Sequence, residues 1–137
     1  MSQQATVGAV LYAKRVERVS PFYAGCCGLK FAHSEDDHVV LESPALQLVI
    51  LAIPESIAAA ISVTAPPARR ETTPIKLVFH VESIDAVREA AASLGGGLNG
   101  PKHEWYFQGG KACDGHDPEG NVVQFRRGHP KQTGPRE

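Results

Sequence analysis

The feature that most restricts how this chain can fold is the run Asp117-Pro118-Glu119-Gly120-Asn121, which leads directly into Val122-Val123-Gln124-Phe125-Arg126-Arg127. The first five residues compose a turn. An Asp or Asn side chain bonds back to nearby backbone, Pro fixes φ for the second position, and Gly takes the φ > 0 conformation that closes the reversal. The six that follow read as a strand, whose period of two puts Val122, Gln124 and Arg126 on one face and Val123, Phe125 and Arg127 on the other. Gln124, polar within an otherwise apolar start to that strand, is the residue to follow.

A weak internal duplication gives the second constraint. Residues 7–14 alternate as a strand, and 16–24 read as a short helix despite Pro21, stopped by the glycine-rich stretch 25–28. Strands at 31–34 and 38–42 flank the acidic turn Glu35-Asp36-Asp37, and Ser43-Pro44-Ala45 turns the chain into a further strand at 46–51. The second half repeats the order. A strand at 76–82 precedes a helix over about 84–94, with Ser83 as N-cap and an apolar face of Ile84, Val87, Ala91 and Leu94. Gly95-Gly96-Gly97 ends that helix, and extended pieces near 98–99, 105–108 and 111–113 come before the closing strand at 122–127. Between the halves, 54–74 reads as a linker with one helical turn near 56–61, and the Pro- and Gly-containing tail 128–137 is expected to be loose. The organisation expected is one domain over 1–137, with modules at 7–53 and 75–127.

Bulk properties narrow the function classes. A length of 137 residues suits one modest core. The 14 Lys plus Arg nearly cancel the 15 Asp plus Glu, and no basic run is long enough to track a phosphate backbone, so nucleic acid is not an expected partner. No stretch approaches the ~20 apolar residues of a membrane span, which points to a soluble, cytoplasmic protein. The three cysteines, Cys26, Cys27 and Cys113, match neither a disulfide framework nor a zinc pattern. They are expected to be reduced thiols, with no base placed by the sequence to activate one.

The duplicated strand-helix-strands order, the pair Phe22-Tyr23 with Gly28-Leu29 closing the first helix, and the Asp117 to Asn121 turn together resemble the vicinal oxygen chelate superfamily over about residues 7–127. That superfamily includes glyoxalase I, extradiol dioxygenases, fosfomycin-resistance enzymes and bleomycin-resistance proteins. The resemblance implies an α+β fold of two βαβββ modules whose curved sheets enclose a cavity, commonly completed by a homodimer. In its metal-dependent members, His, Gln or Glu ligands come from the first and last strands of each module. At the matching positions this chain has Gly8, Lys76, Gln124 in place of the usual Glu, and either Gln47 or Val49. Glycine has no donor, an ammonium repels a cation, and an uncharged amide oxygen holds a divalent ion less strongly than a carboxylate. No catalytic divalent metal and no other cofactor are therefore expected.

The histidines do not rebuild such a site. His33 and His38 flank the acidic turn as an exposed hairpin pair, and His116 and His129 are expected to be solvated. His80 shares a strand face with Lys76, but four strand residues span about 13 Å, too far for both to reach one ion. Alternation assigns Val10, Tyr12, Lys76, Val78, His80, Val122, Gln124 and Arg126 to the cavity wall, and Leu11, Leu77, Phe79, Val81, Val123 and Phe125 to the core under the helices. Lys76, His80 and Arg126 make the wall lean positive, favouring an anionic or carboxylate-bearing organic ligand. His103, Trp105 and Tyr106 fall on a segment that the resemblance makes a rim. There Trp105 either stacks on a planar ligand or anchors the loop or a dimer contact.

Three functions compete at this stage. The first is a metal-free small-molecule binding protein of the bleomycin-resistance kind, homodimeric, with ligand contacts from Tyr12, Gln47, Lys76, His80, His103, Trp105, Gln124 and Arg126. The second is a metal-dependent lyase, isomerase or dioxygenase with an atypical ligand set, and bound metal with chelator-sensitive turnover would establish it. The third is a structural role with a filled cavity, which ligand-induced stabilisation would exclude.

Overall fold

The computed structural model describes residues 5–128. Its elements run β1 (Gly8–Ala13), α1 (Val16–Cys27), β2 (Lys30–Glu35), β3 (His38–Glu42), β4 (Gln47–Ala52), α2 (Glu55–Ala58), β5 (Leu77–Val81), α3 (Ile84–Ser93), β6 (Gly97–Leu98), a 3-10 turn (Pro101–His103), β7 (Trp105–Phe107), β8 (Gly110–His116) and β9 (Val122–Arg127). They form two mixed sheets, ordered β1-β4-β3-β2 and β5-β9-β8-β6, with β7 added to β8. In each sheet the first and last strands of the module pair in parallel, β1 with β4 and β5 with β9, and the other pairs are antiparallel. A parallel pair needs a long crossover, and here the helix and the intervening strands of each module supply it. The βαβββ grammar read twice in the sequence is thus the architecture. Among the described residues no helix is long and apolar enough to cross a membrane.

One face of each sheet is buried beneath the helices. Val39, Leu41, Leu48, Ile50, Phe79, Val123 and Phe125 lie in the core, as the period of two requires. Helix α1 contributes Val19, Phe22, Tyr23 and Cys26, and Tyr23 approaches Phe79 of the second module with ring centroids 6.2 Å apart. Helix α3 starts as expected, with the Ser83 hydroxyl accepting from the Ala86 amide at 3.0 Å.

Three expectations are corrected. Helix α1 continues through Gly25 to Cys27 and ends at Gly28, which sits at φ 70° as a left-handed cap. Gly25 does not stop the helix: a Cβ there would lie 2.8 Å from Leu94 Cδ1, so glycine serves the close approach of α1 to α3. Strand β8 runs to His116 instead of ending near Cys113, carried past Gly115 by pairing with β9 from Lys111 to His116. The third concerns Lys76, which precedes β5, since pairing with β9 begins at Leu77. The linker helix α2 spans Glu55–Ala58, starting one residue before and ending three before the turn expected at 56–61, and the linker is pinned further on, where the Arg70 amide donates to the Gly120 carbonyl at 2.8 Å. The tail and His129 lie outside the described residues.

The Asp117 turn joins the modules. Buried Asp117 accepts from the Tyr23 hydroxyl at 2.8 Å, from the Glu119 and Asn121 amides at 2.8 and 3.1 Å, and from Asn121 Nδ2 at 2.8 Å. Glu119 receives the Lys14 amide at 2.8 Å and the Arg15 amide at 2.6 Å, 104 residues away in the case of Arg15. No side chain of the first module caps the start of α1, where Arg15 is the N-cap residue. The carboxylate of Glu119 supplies negative charge at that end of the helix, where the backbone dipole favours it.

Candidate functional site

Each sheet keeps a face away from the helices, and on the second sheet pairing brings the expected ligand residues into rows. His80, Arg126, Ala112 and Trp105 are in register across β5, β9, β8 and β7, and Val78, Gln124 and Asp114 form the row beside them. Side chains in register share a face. The polar ones form a chain: Lys76 Nζ pairs with Asp114 Oδ2 at 3.0 Å, Gln124 Nε2 donates to Asp114 Oδ1 at 3.1 Å, and Arg126 Nε donates to Gln124 Oε1 at 2.6 Å. The Arg126 guanidinium also lies over the Phe107 ring, 4.5 Å from its centroid. Gln124 is only 7% exposed, so its amide must be satisfied internally, and both of its ends are. Three expected residues, Lys76, Gln124 and Arg126, are therefore brought together.

The first sheet's open face is different in character. Gly8, Gln47 and Glu42 form one row, with Gln47 Nε2 donating to Glu42 Oε2 at 2.9 Å, and Val10, Val49 and Val40 form the next. Tyr12 lies beyond, in register with Leu51 and His38. Val10 is 56% and Tyr12 59% exposed, an apolar stripe with nothing packed on it in the single chain. His33 and His38 do meet across the hairpin, with ring centroids 5.9 Å apart, each bonded to its own acidic neighbour, Glu35 or Asp37, at 2.7 Å. His80 is exposed on its strand, and His103 is exposed on the 3-10 turn, outside the polar chain. Trp105 and Tyr106 are both exposed on β7, where the Lys111 ammonium lies 5.0 Å from the Tyr106 ring.

The donor set does not suit the metal that the resemblance implies. Gly8 offers nothing, Lys76 carries its own positive charge to the site, and the Gln124 oxygen already accepts from a guanidinium. Among the described residues, no group of three or more His, Cys, Asp or Glu is placed to hold an ion.

His116 departs from the solvated role expected of it. It is half-buried at the end of β8 against Gly97, its Nδ1 has no partner among the described residues, and burial together with the Arg69 guanidinium holds the ring below its ordinary range. Two residues of the site escaped the sequence: Asp114, which links Lys76 to Gln124, and Phe107, which backs Arg126. Asp114 stands opposite Gln124 because β8 continues past Cys113.

The cysteines are free and poorly disposed to react. Burial pushes the Cys26 thiol up to about 11, and burial with Cys26 and Asp117 nearby raises Cys27 as well. Burial also raises Cys113, against the lowering pull of Arg88. Native protein at pH 8 is therefore expected to take up iodoacetamide at least about 100-fold more slowly than protein in urea, measured by mass spectrometry. Labelling of Cys26 or Cys27 at the unfolded rate would show that these thiols are not shielded.

Two helix-covered sheets, each joining its module's first and last strands in parallel and carrying an open face with an ordered set of polar side chains, define a paired βαβββ fold. A glyoxalase-like domain model matches residues 8–125, and the chain belongs to that family, within the vicinal oxygen chelate superfamily. Solved structures with the same fold include a glyoxalase/bleomycin resistance protein/dioxygenase family enzyme from Burkholderia phytofirmans PsJN, at 17% identity and TM-score 0.66, covering 90% of this chain and 98% of that one. A glyoxalase-related enzyme from Fulvimarina pelagi aligns at 16% identity and TM-score 0.66, covering 91% and 88%. The fosfomycin resistance protein FosX from Mesorhizobium loti aligns at 10% identity and TM-score 0.61, covering 95% and 96%. No curated protein matches the chain.

Proposed function

We propose that the protein binds a small, carboxylate-bearing organic molecule on the open face of the second sheet, and does so without a divalent metal. The carrying observation is the preset Arg126: Gln124 fixes its Nε, Phe107 backs its plane, and its two terminal nitrogens have no protein acceptor among the described residues. A guanidinium held in this way matches a carboxylate fork, with little side-chain freedom left to lose on binding. Trp105, in register with Arg126, offers an aromatic surface for the body of such a ligand. In this proposal a homodimer completes the cavity, and the apolar stripe of Val10, Val49 and Tyr12 supplies part of the surface that it covers.

Isothermal titration calorimetry with aromatic monocarboxylates and their methyl esters tests the function. The acids are expected to bind and the esters to bind weakly. Arg126→Ala is expected to weaken the acids roughly 10- to 100-fold, the loss of one charge-assisted fork, with EDTA leaving wild-type affinity unchanged. Stoichiometric Zn, Ni, Mn or Fe bound at the open face, or turnover lost to chelator and restored by metal, would overturn it in favour of the metal-dependent enzyme.

A further inference from the structure

A second cavity lies apart from the Arg126 row. A cleft of about 320 Å³ lies where the edge strands β1 and β5 approach each other, roofed by the linker. Its walls include Ala9, Leu11 and Leu48 from the first sheet and Ile75, Leu77 and Val122 from the second half. Ala9, Leu11, Leu48 and Leu77 belong to the helix-facing alternation, opposite in parity to Gly8, Gln47 and Gln124. Val10 and Val122, of the opposite parity, also line the cleft, which therefore lies at the strand edges between the two sheets, and none of Lys76, Asp114, Gln124 and Arg126 borders it.

The burial pattern there is anomalous. Leu48 and Ile50, on the same face, are completely buried, yet Ala9, Leu11 and Leu77 are only half-buried, and Ile75 beside them is 74% exposed. Core-parity side chains are open at the seam because β1 and β5 are each the edge of a separate sheet, and among the described residues no strand pairs across the gap between them. Two of the polar groups at the cleft are already engaged: the Tyr23 hydroxyl and Asn121 Nδ2 both donate to Asp117 at 2.8 Å. Arg70 is different. Its backbone is anchored by the Gly120 carbonyl and a bridge to Asn121, while its exposed side chain has no ion-pair partner among the described residues. An apolar chamber with one uncommitted cation at its mouth selects an amphiphile with a single anionic head. The volume equals roughly ten water molecules, which limits the body to a short chain or a single ring.

We propose that this seam is a second binding site, independent of the Arg126 face, which takes a medium-chain carboxylate. The alkyl body lies against Leu11, Leu77 and Ile75, and the carboxylate pairs with Arg70. Octanoate and octanol are the probes, titrated into 15N-labelled protein with amide shifts and thermal midpoints as readouts. Octanoate is expected to shift the amides of Leu11, Leu77 and Asn121 and to raise the midpoint with concentration. Arg70→Gln, an exposed substitution that leaves the core intact, is expected to weaken octanoate roughly tenfold and leave octanol unchanged. Leu77→Trp, which fills the cleft, is expected to abolish both responses. Arg126→Ala should leave octanoate binding at the seam untouched, so a failure of the open-face function is distinguishable from a failure of this one. Equal octanoate affinity in Arg70→Gln and wild type, shifts confined to the Gln124 and Arg126 face, or no response at millimolar octanoate would each overturn the proposal.

Discussion

Asp117→Ala is expected to lower the free energy of unfolding by about 3 to 5 kcal/mol, read from the midpoint and slope of a urea titration. The substitution removes one acceptor and strands several donors. The Tyr23 hydroxyl and the amides of Glu119 and Asn121 all lose their partner in a buried setting. Each unsatisfied buried group costs about 1 to 3 kcal/mol, and partial access of water to Asn121 keeps the total below the simple sum. Tyr23→Phe, which removes a single donor, is expected to have a much smaller effect. A loss under 1 kcal/mol for Asp117→Ala would mean that the Asp117 hydrogen bonds contribute little to holding the modules together.

The same carboxyl has a distinctive pH signature. Burial raises its pKa, opposed by hydrogen bonds from Asn121, Tyr23 and Glu119. A carboxyl raised in the folded state binds its proton more tightly there than in the unfolded chain, so its contribution to stability is greatest below its ordinary value and declines as pH rises through the folded value. Wild type is therefore expected to gain stability relative to Asp117→Asn as pH falls through that window, because the amide does not titrate. Other carboxylates affect both proteins alike and cancel in the difference.

Gly120→Ala is the second large effect, expected at about 3 kcal/mol. Gly120 has φ 86°, and a Cβ there would lie 2.0 Å from the Ala68 carbonyl oxygen. The left-handed conformation alone costs an L residue roughly 1 to 2 kcal/mol, and forcing the linker away adds about 1 to 3 kcal/mol of overpacking. Gly28→Ala separates the two contributions. Gly28 has φ 70° but nothing within 4 Å of a Cβ, so it carries the conformational part alone. Hydrogen exchange at the Arg70 amide, which donates to the Gly120 carbonyl, is expected to accelerate in Gly120→Ala and not in Gly28→Ala. Equal destabilisation by the two substitutions would show that the linker yields freely.

The pattern of what was legible in the sequence follows from the range of the interactions involved. Helix α3 could be read closely because its signals are local: Ser83 at the cap, Ile84, Val87 and Ala91 at helical spacing, and glycines at its end. The faces of β9 and β5 were also readable, since alternation is a property of each strand alone. Gly25 misled because its reason for being glycine is Leu94, nearly seventy positions away, and nothing beside it in the chain announces that contact. Strand β8 was cut short because Asp114 and Gly115 have poor strand propensity and are held extended by β9. Of the site, the inward parity of Gln124 and Arg126 was visible, but the order Lys76, Asp114, Gln124, Arg126 depends on a strand register that no local signal fixes.

The bond from Glu119 to the start of α1 also bears on how the chain is made. Ribosomal synthesis delivers Lys14 and Arg15 more than a hundred residues before the carboxylate that secures them. Throughout that interval the nascent first half has Tyr23 facing no Asp117 and a helix without its distant anchor. The hydrogen bonds that tie the first half to the second can form only once the Asp117 turn has left the exit tunnel.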